Sequence, residues 1–150
     1  MTSVIATVQG YNLKTQFIWK EFTVLHPGGH FEHYLFKPPS GIILTHGDMK
    51  TVRYTTEHLH GLNFYDGNVD YDQIDIILGN LKCVKHVYTY GNIAKCAISQ
   101  YLPHGLITDV MDLGLIVPKH PLENTLCGRR HSSRYCSRWL SFQLYDFLNQ

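Results

Sequence analysis

The first 37 residues constrain the fold more than any other stretch. Three runs rich in β-branched and aromatic residues occupy 3–9, 16–25 and 30–37. A turn at 10–15 separates the first two, His26-Pro27-Gly28-Gly29 separates the second pair, and Pro38-Pro39 stops the third. Glycine and proline punctuate the backbone because one reaches positive φ and the other lacks an N–H. Links this short join antiparallel neighbours, so the segment predicts a three-stranded meander. Strict alternation along the second run puts Phe17, Trp19 and Glu21 on one face and Ile18, Lys20 and Phe22 on the other.

The rest of the chain changes period. Residues 46–60 have helical character, and 62–67 read as a loop. Ile74, Ile77, Leu78 and Leu81 recur at helical spacing and predict a helix over 69–83, with Asp70 or Asp72 near its start. A strand is expected at 84–90, a helix at 93–102 capped by Asn92 and ended by Pro103, and a strand at 106–113. Pro118 and Pro121 mark 114–126 as loop. A last helix is expected from Ser132 or Ser133 to Leu148, with Cys136, Leu140, Leu144 and Phe147 on one face. The order βββ, helices, β, α, β, α predicts an α/β fold: an RNase H-like mixed five-stranded sheet with flanking helices, built as one domain over 1–150.

Composition limits the function classes. With no 18-residue apolar run and no basic-then-apolar N-terminus, neither a membrane helix nor a signal peptide is expected. An intracellular protein, nuclear or cytoplasmic, with reduced thiols follows. The four cysteines at 83, 96, 127 and 136 are then expected to be core residues or metal ligands rather than disulfides. A net charge of +1 argues against nucleic-acid binding by bulk charge alone. There is no Gly-rich phosphate loop or hydrolase elbow, so no nucleotide cofactor is expected.

One cluster carries chemistry. Cys127, His131 and Cys136 stand within ten residues of one another and run into the last helix. Zinc takes thiolate sulfur and imidazole nitrogen in a tetrahedron, and Cys-x3-His-x4-Cys gathers three such ligands. His131 before the helix and Cys136 within it suits that geometry. The competing reading makes the cysteines small buried hydrophobes. Beside the cluster, Arg129, Arg130, Arg134 and Arg138, with Tyr135 and Trp139, can contact phosphates and stack bases. The alternative is a solvated helix face with Trp139 in the core. Lys14, Lys20, Lys82, Lys85 and Lys95 add charge without forming a stripe. His30 and His33 look accidental as a metal pair, and Asp109 and Asp112 read as turn or cap residues.

Three segments resemble the DEDDh family of 3′–5′ exonucleases: VIATVQG at 4–10, YTYGNIAKCAISQYL at 88–102, and the His-x4-Cys spacing at 131–136. That family uses four carboxylates to hold two divalent metals. Here the first pair falls on Thr7 and Gln9, the next acid on Cys96 (or Lys95 in a slipped register), and the last on Cys136. Only His131 keeps its type, so the resemblance implies a fold without the two-metal reaction. The pattern is closer to the Maelstrom family domain, an exonuclease fold of the piRNA transposon-silencing pathway with a Glu-Cys-His-Cys zinc tetrad. Arenavirus nucleoprotein exonucleases have a similar tetrad. The chain is also similar to arthropod and mobile-element proteins sharing its FxxKE, FKPP and late Cys-His-Cys patterns.

The resemblance implies a structural zinc held by Glu21, Cys127, His131 and Cys136, with Cys83, His86 and His120 as other sources of the fourth ligand. It implies single-stranded RNA and protein partners of a silencing pathway, with unconventional RNA cleavage as a possible activity. The alternative function is a non-enzymatic protein-interaction scaffold of viral or mobile-element origin.

Overall fold

The computed structural model describes residues 2–58, 61–116 and 137–149. Five strands form one mixed sheet: β1 (Ser3–Asn12), β2 (Phe17–Leu25), β3 (Phe31–Leu35), β4 (His86–Thr89) and β5 (Ile107–Asp109). Their order is β3-β2-β1-β4-β5. The β1–β2 and β2–β3 pairs are antiparallel, and the β1–β4 and β4–β5 pairs are parallel. This is the RNase H-like arrangement expected from the element order. Among the described residues, four α-helices accompany it: α1 (His46–His58), α2 (Ile74–Gly79), α3 (Asn92–Ser99) and α4 (Ser137–Leu148). None of the described helices is long and apolar enough to cross a membrane.

Both sheet faces are covered. On one, Val4, Ala6, Val8, Phe22, Val24 and Val87 pack against Ile74 and Leu78 of α2 and Ala94, Ala97 and Ile98 of α3. On the other, Ile5 and Leu25 pack against Leu140 and Leu144 of α4. Two-sided burial explains why β1 reads as a near-continuous apolar run rather than an alternating one. A third cluster of Tyr11, Leu13, Ile18 and Phe64 takes in Val52 of α1. The α1 start is fixed reciprocally: Asp48 N–H donates to Thr45 Oγ1 and Thr45 N–H to Asp48 Oδ2, each at 3.0 Å.

The alternation predicted for β2 fails at one point. Gln9 pairs with Glu21 but Gly10 pairs with Trp19, which makes Lys20 the extra residue of a β-bulge. One inserted residue reverses the facing of everything beyond it. Trp19 therefore joins Phe22 in the main core, while Ile18 joins Tyr11 on the opposite side. Lys20, the extra residue, is 1% exposed. Its ammonium donates to the carbonyls of Phe36 and Phe64, each at 3.0 Å, and to that of Asp66.

Several elements are shorter than their sequence patterns. The expected helix over 69–83 is a 3-10 turn, Tyr71–Gln73, followed by six residues of α2. Beyond Gly79 the chain closes in turns, with Leu81 N–H on Leu78 O and Lys82 N–H on Gly79 O. The apolar run at 106–113 is a strand only as far as Asp109. That side chain accepts from Met111 N–H, and Val110–Leu113 winds into 3-10 geometry. Gly91, not Asn92, stands at the N-cap of α3. Cys83 and Cys96 are exposed free thiols rather than core residues.

At the β2–β3 turn, Gly28 and Gly29 take φ near 92° and 94°, and His26 N–H closes on His30 O at 2.7 Å. Beside it, His26 Nε2 lies 2.8 Å from Glu32 Oε2, and Tyr34 donates to Glu32 Oε1 at 2.8 Å. The His26 hydrogen bond, helped by Tyr34 and opposed by burial, holds the Glu32 carboxyl below its ordinary range. A carboxyl depressed on folding stabilises the fold above its unfolded pKa, and that contribution is lost as pH falls through the lowered folded value. In His26→Ala the Glu32 carboxyl is expected to titrate at higher pH by carboxyl NMR. Glu32 is well exposed, so the effect on stability is small.

Candidate functional site

The sheet face beneath α4 is laid out in cross-strand rows. Ile5, Leu25 and Phe31 form an apolar row; Thr7, Thr23 and His33 form the next; Gln9, Glu21 and Leu35 form the third. The face thus changes from hydrocarbon to polar groups along two residues of strand. Thr7, Glu21 and Thr23 are fully buried, as is Ser141 of α4. A carboxylate out of reach of solvent is costly without charged or hydrogen-bonding partners. His33 supplies one, with Nε2 2.9 Å from Glu21 Oε2, diagonally across the β2–β3 pair.

The direction of α4 matters to this patch. The helix packs across β1, β2 and β4. Its Leu140 lines a cleft with Val8, Gln9 and Gly10, whereas Tyr145 and Leu148 line a cavity with Ser3, Ile5 and Leu25. So α4 runs antiparallel to β1, and its first turns lie at the Gln9–Glu21 end.

The cleft has a volume of about 460 Å³. It opens at the carboxyl ends of the parallel strands β1 and β4, the place where open α/β sheets usually take ligands. Polar lining comes from Gln9, Asn12, Tyr90 and Asn92, with Phe17 and Ile93 as apolar walls. No Asp or Glu is among the described residues that line it. Asp109 steadies the rim: its Oδ1 accepts from Gly91 N–H at 2.8 Å and from Met111 N–H at 3.0 Å. It is a cap, as expected of it.

Of the predicted ligands, Glu21 sits on β2, one strand in from the β3 edge of the sheet. Cys127, His131 and Cys136 lie outside the described residues, as do His120 and Arg129, Arg130 and Arg134. Arg138 lies in α4, with its side chain outside the described set. His86 pairs with Ser3, at the far end of β1 from Gln9, and bonds Thr108 Oγ1 at 2.5 Å. Six residues of strand, roughly 20 Å, separate those ends. Cys83 precedes β4 at that same far end. Thr7 and Gln9 occupy the face under α4, while Cys96 is exposed on α3. His30 stacks on His26, with ring centroids 5.5 Å apart, so it and His33 point to different sites as anticipated. Among the described residues no three His, Cys, Asp or Glu side chains gather into a metal-holding group.

The sequence reading missed His33 as a partner of Glu21. The signal was present in the hairpin. A turn centred on Gly28 sets Leu25 opposite Phe31, Thr23 opposite His33, and Glu21 opposite Leu35. No family model, curated protein or solved structure matches the chain.

Proposed function

We propose that this chain is an exonuclease-fold domain without two-metal chemistry. In this reading it holds a structural zinc through Glu21, Cys127, His131 and Cys136 and binds single-stranded RNA, within a transposon or small-RNA silencing pathway of the nucleus or cytoplasm. The observation that carries it is Glu21: a buried carboxylate on the interior strand β2, beneath the first turns of the helix that directly follows Cys136.

The donor set fits zinc. Two thiolates, an imidazole and one carboxylate oxygen suit a tetrahedral borderline cation, whereas magnesium demands oxygen ligands. Four protein ligands close the coordination sphere, so the ion's contribution would be folding free energy rather than an activated water. Glu21 would tie the sheet to the Cys-His-Cys segment, and His131 would need its imidazole neutral. Cys83 and His86 are poorer sources of the fourth ligand, because they stand at the other end of β1.

For RNA, the cleft beside Gln9 offers amides and a tyrosine ring, groups that read base edges and stack without sequence-independent charge. Arg129, Arg130, Arg134 and Arg138 would add phosphate contacts. A second reading, the protein-interaction scaffold, is favoured by the apolar side chains exposed around α1: Ile43 at 89%, Tyr65 at 74% and Tyr54 at 59%.

Two measurements on the full chain test this. Metal analysis is expected to find one zinc per chain, lost in Cys127→Ser and in Cys136→Ser; a folded, metal-free protein removes the zinc. Anisotropy with fluorescent single-stranded RNA is expected to show salt-dependent binding. Arg129→Ala/Arg130→Ala should weaken it and flatten the log–log salt slope by roughly 0.7 per lost phosphate contact. No binding at low salt removes the RNA role and leaves the scaffold.

A further inference from the structure

We infer that the groove between Pro38-Pro39 and Asp70-Tyr71-Asp72 docks an extended, proline-rich segment of a partner protein that carries an arginine or lysine beside its prolines. The inference goes beyond zinc and RNA and rests on neither. The groove has a volume of about 790 Å³ and lies past the end of β3. Its apolar surface comes from the two proline rings and the rings of Tyr65 and Tyr71, and its charges are Lys37, Asp70 and Asp72.

Three backbone segments form the walls, and the core ties them together. The Lys20 ammonium donates to the carbonyl of Phe36, just before Lys37-Pro38-Pro39, and to those of Phe64 and Asp66, on either side of Tyr65. Phe36 bridges to Val69, and Lys37 N–H donates to Val69 O at 2.9 Å, which sets Asp70-Tyr71-Asp72 beside the prolines. Gly67 permits this approach, since a Cβ there would stand 2.5 Å from Lys37 N. The Tyr71 hydroxyl accepts from Trp19 N–H at 3.1 Å, so its ring is held from the core side. Tyr65 is 74% exposed, yet its N–H is fixed on Asn63 Oδ1 at 2.9 Å. A groove held in this way takes a ligand at little ordering cost.

Charge selects the ligand. Between Arg53 and Lys82 the sequence has no lysine or arginine but contains Glu57, Asp66, Asp70, Asp72 and Asp75, in a chain whose net charge is +1. Asp70 makes no cap bond to the 3-10 turn that it precedes. Its contact with Lys37, at 3.4 Å between side chains 70% and 53% exposed, is a weak one. Asp72 has no cationic partner among the described residues. One lysine against two aspartates leaves the groove negative. A basic side chain can lay its stem or guanidinium on a tyrosine ring and pair with a carboxylate. The prolines beside it arrive already ordered as polyproline II and pack on aromatic and proline rings. The same carboxylates repel the phosphates of RNA.

The test pans displayed peptide libraries on the full chain. Enriched peptides are then measured by fluorescence anisotropy against wild type, Tyr65→Ala and the double variant Asp70→Asn/Asp72→Asn. Proline-rich peptides with an arginine or lysine are expected. Tyr65→Ala should bind them about 10-fold more weakly or worse, as loss of an aromatic anchor does. The double variant should bind them several-fold more weakly and with less dependence on salt. A peptide whose basic residue is replaced by glutamine should bind wild type and the double variant alike. The changed side chains are exposed, so all variants should melt as wild type does. Their zinc content and RNA affinity should also be unchanged, so failure here leaves those readings standing. No enrichment of such peptides, equal binding by Tyr65→Ala, or equal binding of the basic peptide by the double variant each overturns the inference. So does RNA affinity lost in Tyr65→Ala, which would give the groove to nucleic acid. Self-association in sedimentation that Tyr65→Ala abolishes would give it to a second copy of the chain, and overturns it too.

Discussion

Replacing Lys20 with methionine is expected to destabilise the fold by about 2–5 kcal/mol, the cost of leaving buried carbonyls without their donor. Methionine keeps the length and packing of the stem, so the change isolates the ammonium. In the native protein that ammonium donates to the carbonyls of Phe36, Phe64 and Asp66, which lie 16, 44 and 46 residues away in sequence. Without it, three carbonyls lose their donor at once, two of them on the buried residues Phe36 and Phe64. Each buried polar group left unsatisfied costs about 1–3 kcal/mol. The loss is also topological: Lys20 joins the bulge of β2 to the end of β3 and to the segment holding Phe64, which caps the cluster around Tyr11 and Ile18. Urea denaturation should show a lower midpoint with an unchanged slope. A loss below about 1 kcal/mol would mean that water replaces the ammonium without difficulty, and the carbonyl cage would have to be regarded as open.

Lys20 also marks the limit of what could be read in advance. The antiparallel meander was legible because its signals are local: alternation within each run and a Pro-Gly-Gly turn between two of them. The parallel half was legible as alternating helix and strand periods, although its elements end early. Asp109 takes its own backbone out of the strand, and the chain turns beyond Gly79. Neither event alters the hydrophobic pattern around it. The bulge leaves no compositional trace at all, since one extra residue in β2 looks like any other. Its consequences therefore escape strict alternation, which puts Trp19 on the Glu21 face and Ile18 on the Phe22 face. Three carbonyls from distant segments are invisible to any local window. The His33–Glu21 pair is the intermediate case. Hairpin geometry contains it, provided register is worked out before side chains are judged by spacing along one strand. Of the proposed metal ligands, Glu21 is among the described residues, while Cys127, His131 and Cys136 lie outside them.

Gly10→Ala is expected to cost about 3 kcal/mol or more, at the upper end of overpacking penalties. A Cβ at this position would sit 2.2 Å from the carbonyl oxygen of Ile18 and 2.6 Å from Cζ of Phe17. The ring could swing away, but the carbonyl belongs to the β1–β2 pairing and moves only if the register moves. Gly10 pairs with Trp19 immediately after the bulge, so the strain falls on the one irregularity that sets which side chains face the core. Gly79→Ala is the comparison. Its Cβ would meet nothing within 4 Å, and its φ is not positive. There the lower chain entropy of the unfolded state should stabilise the protein by about 0.4–1 kcal/mol. The two variants thus make the same chemical change with opposite expected signs, measurable in parallel urea titrations. They separate function as well. Gly10 lines the cleft with Gln9 and Asn12, and Gly79 does not. If RNA enters that cleft, Gly10→Ala should bind it more weakly even at temperatures where the variant is fully folded, while Gly79→Ala binds as wild type does. Equal RNA affinity in two folded variants would move the RNA surface away from the strand ends and onto the arginine-rich segment alone.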